Sequence, residues 1–304
     1  MRGPGTAVAI ALLFAALAAA GCGLGPGSGV EDAELTVTRD YGTVPVLHRQ
    51  LGDLTESDTV MRALERNADI TTRYGGGFVQ SIEGLEGEES ASGSFDWFFY
   101  VNGVESTIGA ADYALHGGES IWWDYRDWDA AMRVPAVVGS WPQPFLDGYE
   151  GKQRPVAVEC LGGGSACNEV DERLTAAGVD VSSRPPSGAI RVLVGPWSRV
   201  RSDPAAAQIE RGPQTSGVFA DFQRDGSGYR LSGLDEAGDT AADFGPGSGL
   251  VAATRRYEEP PVWVVTGASG AGVRAAAGLL DVADLRDHYA VAVDGDKETP
   301  LPLR

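Results

Sequence analysis

Apolar and polar residues alternate most regularly between Tyr74 and Trp128, and that stretch predicts a sheet. In Ile121-Trp122-Trp123-Asp124-Tyr125-Arg126 a two-residue period puts Ile121, Trp123 and Tyr125 on one face and Trp122, Asp124 and Arg126 on the other. The expectation is a half-buried strand with one wet side. Trp97-Phe98-Phe99-Tyr100-Val101 reads as a second strand and Phe78 to Ile82 as a third. Asn102-Gly103 and Gly117-Gly118 supply turns, since these residues accept positive φ at low cost. Gly75-Gly76-Gly77 bares the backbone before Phe78, which suits either a sharp bend or the close approach of another surface.

Upstream, Glu34 to Arg39 alternates as a strand, Asp40-Tyr41-Gly42 turns, and Thr43 to Leu47 runs back. Thr55 and Asp58 have capping-box spacing ahead of a helix whose stripe is Val60, Met61 and Leu64. Hairpin, helix, then further strands is the order of a β-grasp domain, in which a sheet wraps one helix. A helix this short cannot cover both faces of a sheet that carries Phe95, Trp97, Phe98, Phe99, Tyr100, Trp122, Trp123, Tyr125 and Trp128. The rings left over form a recognition surface or lie under the rest of the chain, and both readings stay open.

The order Gly76-Gly77-Phe78-Val79-Gln80-Ser81-Ile82-Glu83-Gly84, Trp97, Gly109-Ala110-Ala111-Asp112-Tyr113, Gly118-Glu119-Ser120-Ile121 and Trp128 resembles the C-terminal domain of the vertebrate cobalamin carriers, transcobalamin and intrinsic factor. It is similar as well to bacterial exported domains grouped with the transcobalamin-like, soluble-ligand-binding β-grasp folds. The resemblance spans residues 34–131. It implies one jaw of a clamp on a flat corrinoid, the other jaw being an α/α barrel. No helical repeat follows in this chain, so the barrel is expected as a separate lipoprotein. By matching position, the resemblance implies ligand contacts at Phe78, Gln80, Ser81 and Trp97, with Tyr100, Asn102, Trp123 and Tyr125 completing the candidate set.

From residue 134 the pattern changes. Val134 to Pro155 mixes apolar runs with prolines and glycines, as a domain junction does. PVAVEC, NEVDERLTAAG, IRVLVGPW, DPAAAQIERG, SGVFADF, PVWVVTG, AGVRAAAGLL and HYAVAVDG then alternate strand and helix. The expected fold is α+β: an N-terminal β-grasp domain, then an α/β domain over residues 134–304 whose role the sequence does not specify. Cys160 and Cys167 predict a disulfide in an exported chain, with free thiols the alternative. His48, His116 and His288 stand singly, so no metal site is expected. Thr266 to Gly272 resembles a dinucleotide turn but has the wrong spacing. As a nucleophile elbow it fails at Ala271, so a turn leading into a helix is expected, with no catalytic residue and no intrinsic cofactor.

Charge and the first residues narrow the setting. The 304-residue chain carries a formal net charge of −19, which disfavours nucleic acid and anionic membrane surfaces. Met1 to Gly21 reads as a secretory signal: one basic residue, an apolar run, then Ala-Ala-Gly before Cys22. Cys22 is therefore the expected lipidation site, anchoring the chain to the outer side of the cell membrane through a flexible tether over residues 22–33. The combined expectation is an extracytoplasmic lipoprotein that binds a cobalamin-like or other large soluble ligand and passes it to a membrane transporter. The runner-up is an envelope module that docks a protein or cell-wall partner without a small ligand.

Overall fold

The computed structural model describes residues 33–304 apart from 56, 91, 92, 183 and 227, so the signal, Cys22 and nearly all of the expected tether lie outside the described residues. The hairpin comes first, as β1 (Ala33–Arg39) and β2 (Val44–Leu51), with Ala33 already in the strand. Helix α1 (Val60–Asn67) follows, then β3 (Ile70–Arg73), β4 (Phe78–Ile82) and β5 (Leu85–Glu86), paired antiparallel as a small sheet. β6 (Glu88–Ser90), β7 (Gly93–Val101), β8 (Val104–Glu105) and β9 (Ser120–Asp127) complete the N-terminal part. Among the described residues the main N-terminal sheet runs in the order β2-β1-β9-β7-β6, with β8 paired to β7. β1 and β9 are parallel, which demands a long crossover, and α1 with the small sheet lies on it.

Helix α1 covers one face of this sheet. Val60, Met61, Ala63 and Leu64 are buried in one cluster with Leu35, Val37, Trp97, Val101, Ile121, Trp123 and Tyr125. The expected Thr55–Asp58 box forms, with the Thr55 N–H donating to Asp58 Oδ2 at 2.9 Å. It does not cap the helix. Thr59 is the cap, its hydroxyl accepting from the Arg62 N–H, because the box closes one turn before the helix starts.

The C-terminal part supplies β10 (Val156–Cys160), α2 (Ser165–Ala176), β11 (Val181–Ser182), β12 (Ile190–Pro196) and α3 (Trp197–Val200). Next come α4 (Pro213–Ser216), β13 (Ala220–Asp225), β14 (Gly228–Leu234), β15 (Thr240–Asp243) and β16 (Gly249–Thr254). β17 (Val262–Gly267), α5 (Gly270–Gly278), α6 (Val282–Leu285), β18 (Ala290–Asp294) and β19 (Lys297–Leu301) end the chain. Among the described residues the larger sheet runs β11-β10-β12-β17-β16-β18-β19, parallel from β11 to β17 and antiparallel beyond. Helices α2 and α5 bury one face of it through Val170, Leu174, Val273 and Ala276 against Val192, Trp263, Val265 and Val291. The strand expected at SGVFADF is present as β13, but it pairs with β14 in a separate three-stranded sheet.

The turn before α5 is a packing device. A Cβ on Gly272 would stand 1.8 Å from the Ser248 carbonyl oxygen, so the glycine lets the helix lie directly against the strand. Cys160 and Cys167 form a disulfide with Cα atoms 5.8 Å apart, tying the end of β10 to the first turn of α2. Closing so short a loop stabilises the fold by about 2–3 kcal/mol on the chain-entropy account.

The wet face expected for β9 is absent. Trp122, Asp124 and Arg126 are as buried as Ile121, Trp123 and Tyr125. Trp122, Tyr100 and Tyr41 share a buried cluster with Leu193, Trp197, Phe219, Leu250, Val264 and Tyr289 of the C-terminal part, so the second sheet, not water, covers that face. The segment expected as a domain junction is packed too: Val134, Val137, Val138, Trp141 and Phe145 are buried.

Most polar groups in this seam are paired, although the Arg126 Nε is buried without a hydrogen-bond partner. Asp124 Oδ1 accepts from the Thr38 hydroxyl at 2.5 Å and the Gly42 N–H at 3.0 Å, while Oδ2 accepts from the Tyr289 hydroxyl at 3.0 Å. Tyr289 in turn accepts from Tyr100 at 3.2 Å, and the Trp122 indole donates to Thr38 at 2.7 Å. Arg126 donates to the Ala131 and Met132 carbonyls and lies 3.8 Å from the centre of the Phe98 ring.

Burial pushes Asp124 up to about 6, against the opposing pull of its three donors and of Arg126. The folded chain therefore holds this proton more tightly than the unfolded chain. Its stabilising contribution is complete below about pH 4 and is lost as pH rises through about 6. Asp124→Asn places an N–H donor where the protonated acid has its hydroxyl. We expect it to flatten the fall in urea-unfolding free energy between about pH 4 and pH 6; an unchanged slope would show that Asp124 does not titrate with folding.

Candidate functional site

With the aromatic face of β7 and β9 covered by the second sheet, an open surface of the N-terminal part lies where β3–β5 meet β6 and β7. Tyr74-Gly75-Gly76 forms a tight turn in which Tyr74, Gly75 and Gly76 have φ of 54°, 73° and 93°. A Cβ on Gly75 or Gly76 would meet no atom of the chain within 4 Å, so within the molecule these glycines serve the bend. The bend leaves Tyr74 87% and Phe78 40% exposed, edge to face at 6.2 Å. Two such rings at the tip of a small sheet offer large contact area at low entropy cost.

Below this tip a groove of about 250 Å³ is lined by Arg73, Phe78, Gln80, Phe95, Asp96 and Trp128. Its wall is polar: Arg73 pairs with Glu86 at 3.2 Å, and the Gln80 amide donates to the same carboxylate. Beneath the wall, the Trp97 indole N–H donates to the Leu85 carbonyl at 2.9 Å and the Tyr125 hydroxyl to the Glu86 carbonyl, also at 2.9 Å. Phe95 stacks on Tyr125 with centroids 5.8 Å apart. These bonds join β5 to the main sheet, so the groove has a fixed base.

Partial burial raises Asp96 above the ordinary carboxylate range, opposed by the Trp97 N–H it accepts from and by Arg73. Burial also pushes the Tyr125 hydroxyl up to about 12, with Glu88, Asp96 and Asp40 adding to the effect. The groove thus presents rings, an amide, a guanidinium and carboxylates, the equipment of a site that binds a polar ligand with flat or apolar edges. Among the described residues no group of three or more His, Cys, Asp or Glu is placed to hold a metal ion.

The structure brings four of the expected site residues together: Phe78 and Gln80 in the lining, Trp97 and Tyr125 beneath it. The others stand elsewhere. Ser81 is buried, its hydroxyl 2.7 Å from that of Thr71. Tyr100 is sealed in the seam against Tyr289, and Trp123 stacks on Phe99 at 4.9 Å in the core under α1. Asn102, fully buried at φ 53°, donates to the Gly148 carbonyl and accepts from the Ser120 N–H, so it holds a turn. Arg73 and Asp96 were not anticipated. Asp96 had a visible signal, as the one charge inside an aromatic strand, whereas Arg73 becomes relevant only because the glycine bend folds β4 back beside β3.

Residues 57–127 match the family described as "Domain of unknown function (DUF4430)", a transcobalamin-like domain family. The matched stretch runs from just before α1 to the end of β9 and includes Arg73, Phe78, Gln80 and Asp96 of the groove. A search of curated proteins finds no match to the chain.

Trp97→Phe keeps a ring beneath the groove and removes the bond to Leu85. A loss of about 1–2 kcal/mol in urea unfolding is expected. Unchanged stability would show that the indole bond does not hold β5 in place.

Proposed function

We propose that the chain is a binding protein whose N-terminal β-grasp, transcobalamin-like part takes a large, flat, polar ligand of the corrinoid kind at the Tyr74–Phe78 tip and the groove below it. The observation that carries the reading is the exposed Tyr74–Phe78 pair over a rigidly based groove, inside the stretch that matches a transcobalamin-like family. A groove of about 250 Å³ holds only part of such a ligand, which fits one jaw of a clamp. The second jaw is a separate partner, an α/α-barrel lipoprotein in this reading. Anchored by lipid on Cys22 outside the cell membrane, the pair would present its ligand to a membrane transporter. The role is binding and delivery, without a catalytic step.

The test is isothermal titration of the chain from Gly23 with cyanocobalamin and with cobinamide. Saturable binding at about micromolar to millimolar affinity is expected, weakened about tenfold in Phe78→Ala, whose ring lies outside the core. No heat from either corrinoid at millimolar concentration would overturn the reading. The Tyr74–Phe78 tip would then be a docking surface for an envelope partner, found by pull-down.

A further inference from the structure

A second cavity, of about 640 Å³, opens on the seam between the two halves of the molecule. Glu105 of β8 and the joining segment Met132 to Pro135 form one wall. The opposite wall holds Gln208, Arg211 and Gln214, and the turn carrying Arg255, Tyr257 and Glu258 closes the end. Three guanidinium groups thus converge in a chain whose net charge is −19.

Their pairing differs in a useful way. Arg255 is buried and committed, donating to the Glu259 carbonyl at 2.8 Å and lying 3.6 Å from the Glu258 carboxylate and 3.9 Å from Glu150. Arg133 uses its Nε on Glu105 at 3.0 Å, and neither of its terminal nitrogens makes a hydrogen bond among the described residues. Arg211 is exposed and makes no ion pair among the described residues, which leaves its N–H donors to solvent. Burial raises Glu105 above the ordinary carboxylate range, opposed by Arg133, Arg126 and Arg255.

The rim carries a second signal. Tyr257 is 80% exposed, although its φ of 52° is a conformation that a bulky residue adopts only under constraint, and Met132 beside the cavity is 61% exposed. The Arg256 guanidinium lies 5.2 Å from the centre of this ring, and a ring exposed to water beside solvent-facing guanidinium donors is a flat platform next to an anion site.

We propose that this cavity binds a small organic anion in which a carboxylate is joined to a flat ring, the carboxylate on Arg211 and Arg133 and the ring on Tyr257. It is independent of the groove at Phe78 and would be occupied whether or not a corrinoid binds there. Because its walls come from both halves, its occupant also braces the seam.

The test is titration of the chain from Gly23 with benzoate, benzamide and inorganic phosphate. Benzoate is expected to saturate at about millimolar Kd, with neutral benzamide at least about tenfold weaker. Arg211→Gln should weaken benzoate about tenfold without lowering the melting temperature, Tyr257→Ala should weaken it as well, and Phe78→Ala should leave it unchanged. The proposal is overturned if benzoate shows no saturable binding, if benzamide equals it, if Arg211→Gln binds as the parent does, or if phosphate matches benzoate and Tyr257→Ala changes neither.

Discussion

Asp124 is the point on which the rest of the structure depends. It sits on the central N-terminal strand, fully buried, and takes hydrogen bonds from β1, from the β1–β2 turn and from Tyr289 of the C-terminal part. A carboxyl group with no partners would be costly at this depth, whereas one with three donors is tolerated and also fixes the geometry around it. The Tyr100–Tyr289–Asp124 chain therefore sets the register between two sheets that share no strand pairing in the order of either. Trp122, Tyr41 and Phe219 fill the apolar space around it, with Tyr41 edge to face against both Phe219 and Tyr289 at 5.1 Å.

This seam decides where a ligand can go. The broad aromatic face of β7 and β9, which by composition suits either a recognition surface or an interface within the chain, is used to join the two halves. Among the surfaces that stay open are the Tyr74–Phe78 tip, the groove under it and the cavity at the seam's rim. Both open sites combine a ring in water with guanidinium and amide groups, and in both the neighbouring backbone bends at positive φ, at Gly75 and Gly76 in one and at Tyr257 in the other. The large sheet thus works as a mount, and the short, irregular segments at its margin carry the chemistry.

The local pattern was legible in the sequence. The β1–β2 hairpin, α1, the strands at Phe78, Trp97 and Ile121, helices α2 and α5 and the Cys160–Cys167 bridge all lie where periodicity, turn residues and cysteine spacing put them. The burial of Trp122, Asp124 and Arg126 was not. Alternating polar residues read the same whether the polar side meets water or a paired network, and only the three-dimensional partners Thr38, Tyr289 and Ala131 separate the two cases. For the same reason Tyr100 and Trp123 were candidates by residue type although packing holds them in the core. β14, β15 and β19 also escaped notice, being rich in glycine, charge or proline with little apolar alternation, and pairing rather than propensity makes them strands.

The central claim is that the buried Asp124–Tyr289–Tyr100 chain and its aromatic surround make one cooperative unit of both halves. Differential scanning calorimetry of residues 33–304 tests it most directly. The account predicts a single transition whose van't Hoff and calorimetric enthalpies agree. Two resolved transitions, one of which is reproduced by residues 33–131 alone, would contradict it, because the aromatic face would then be stable without the sheet that covers it.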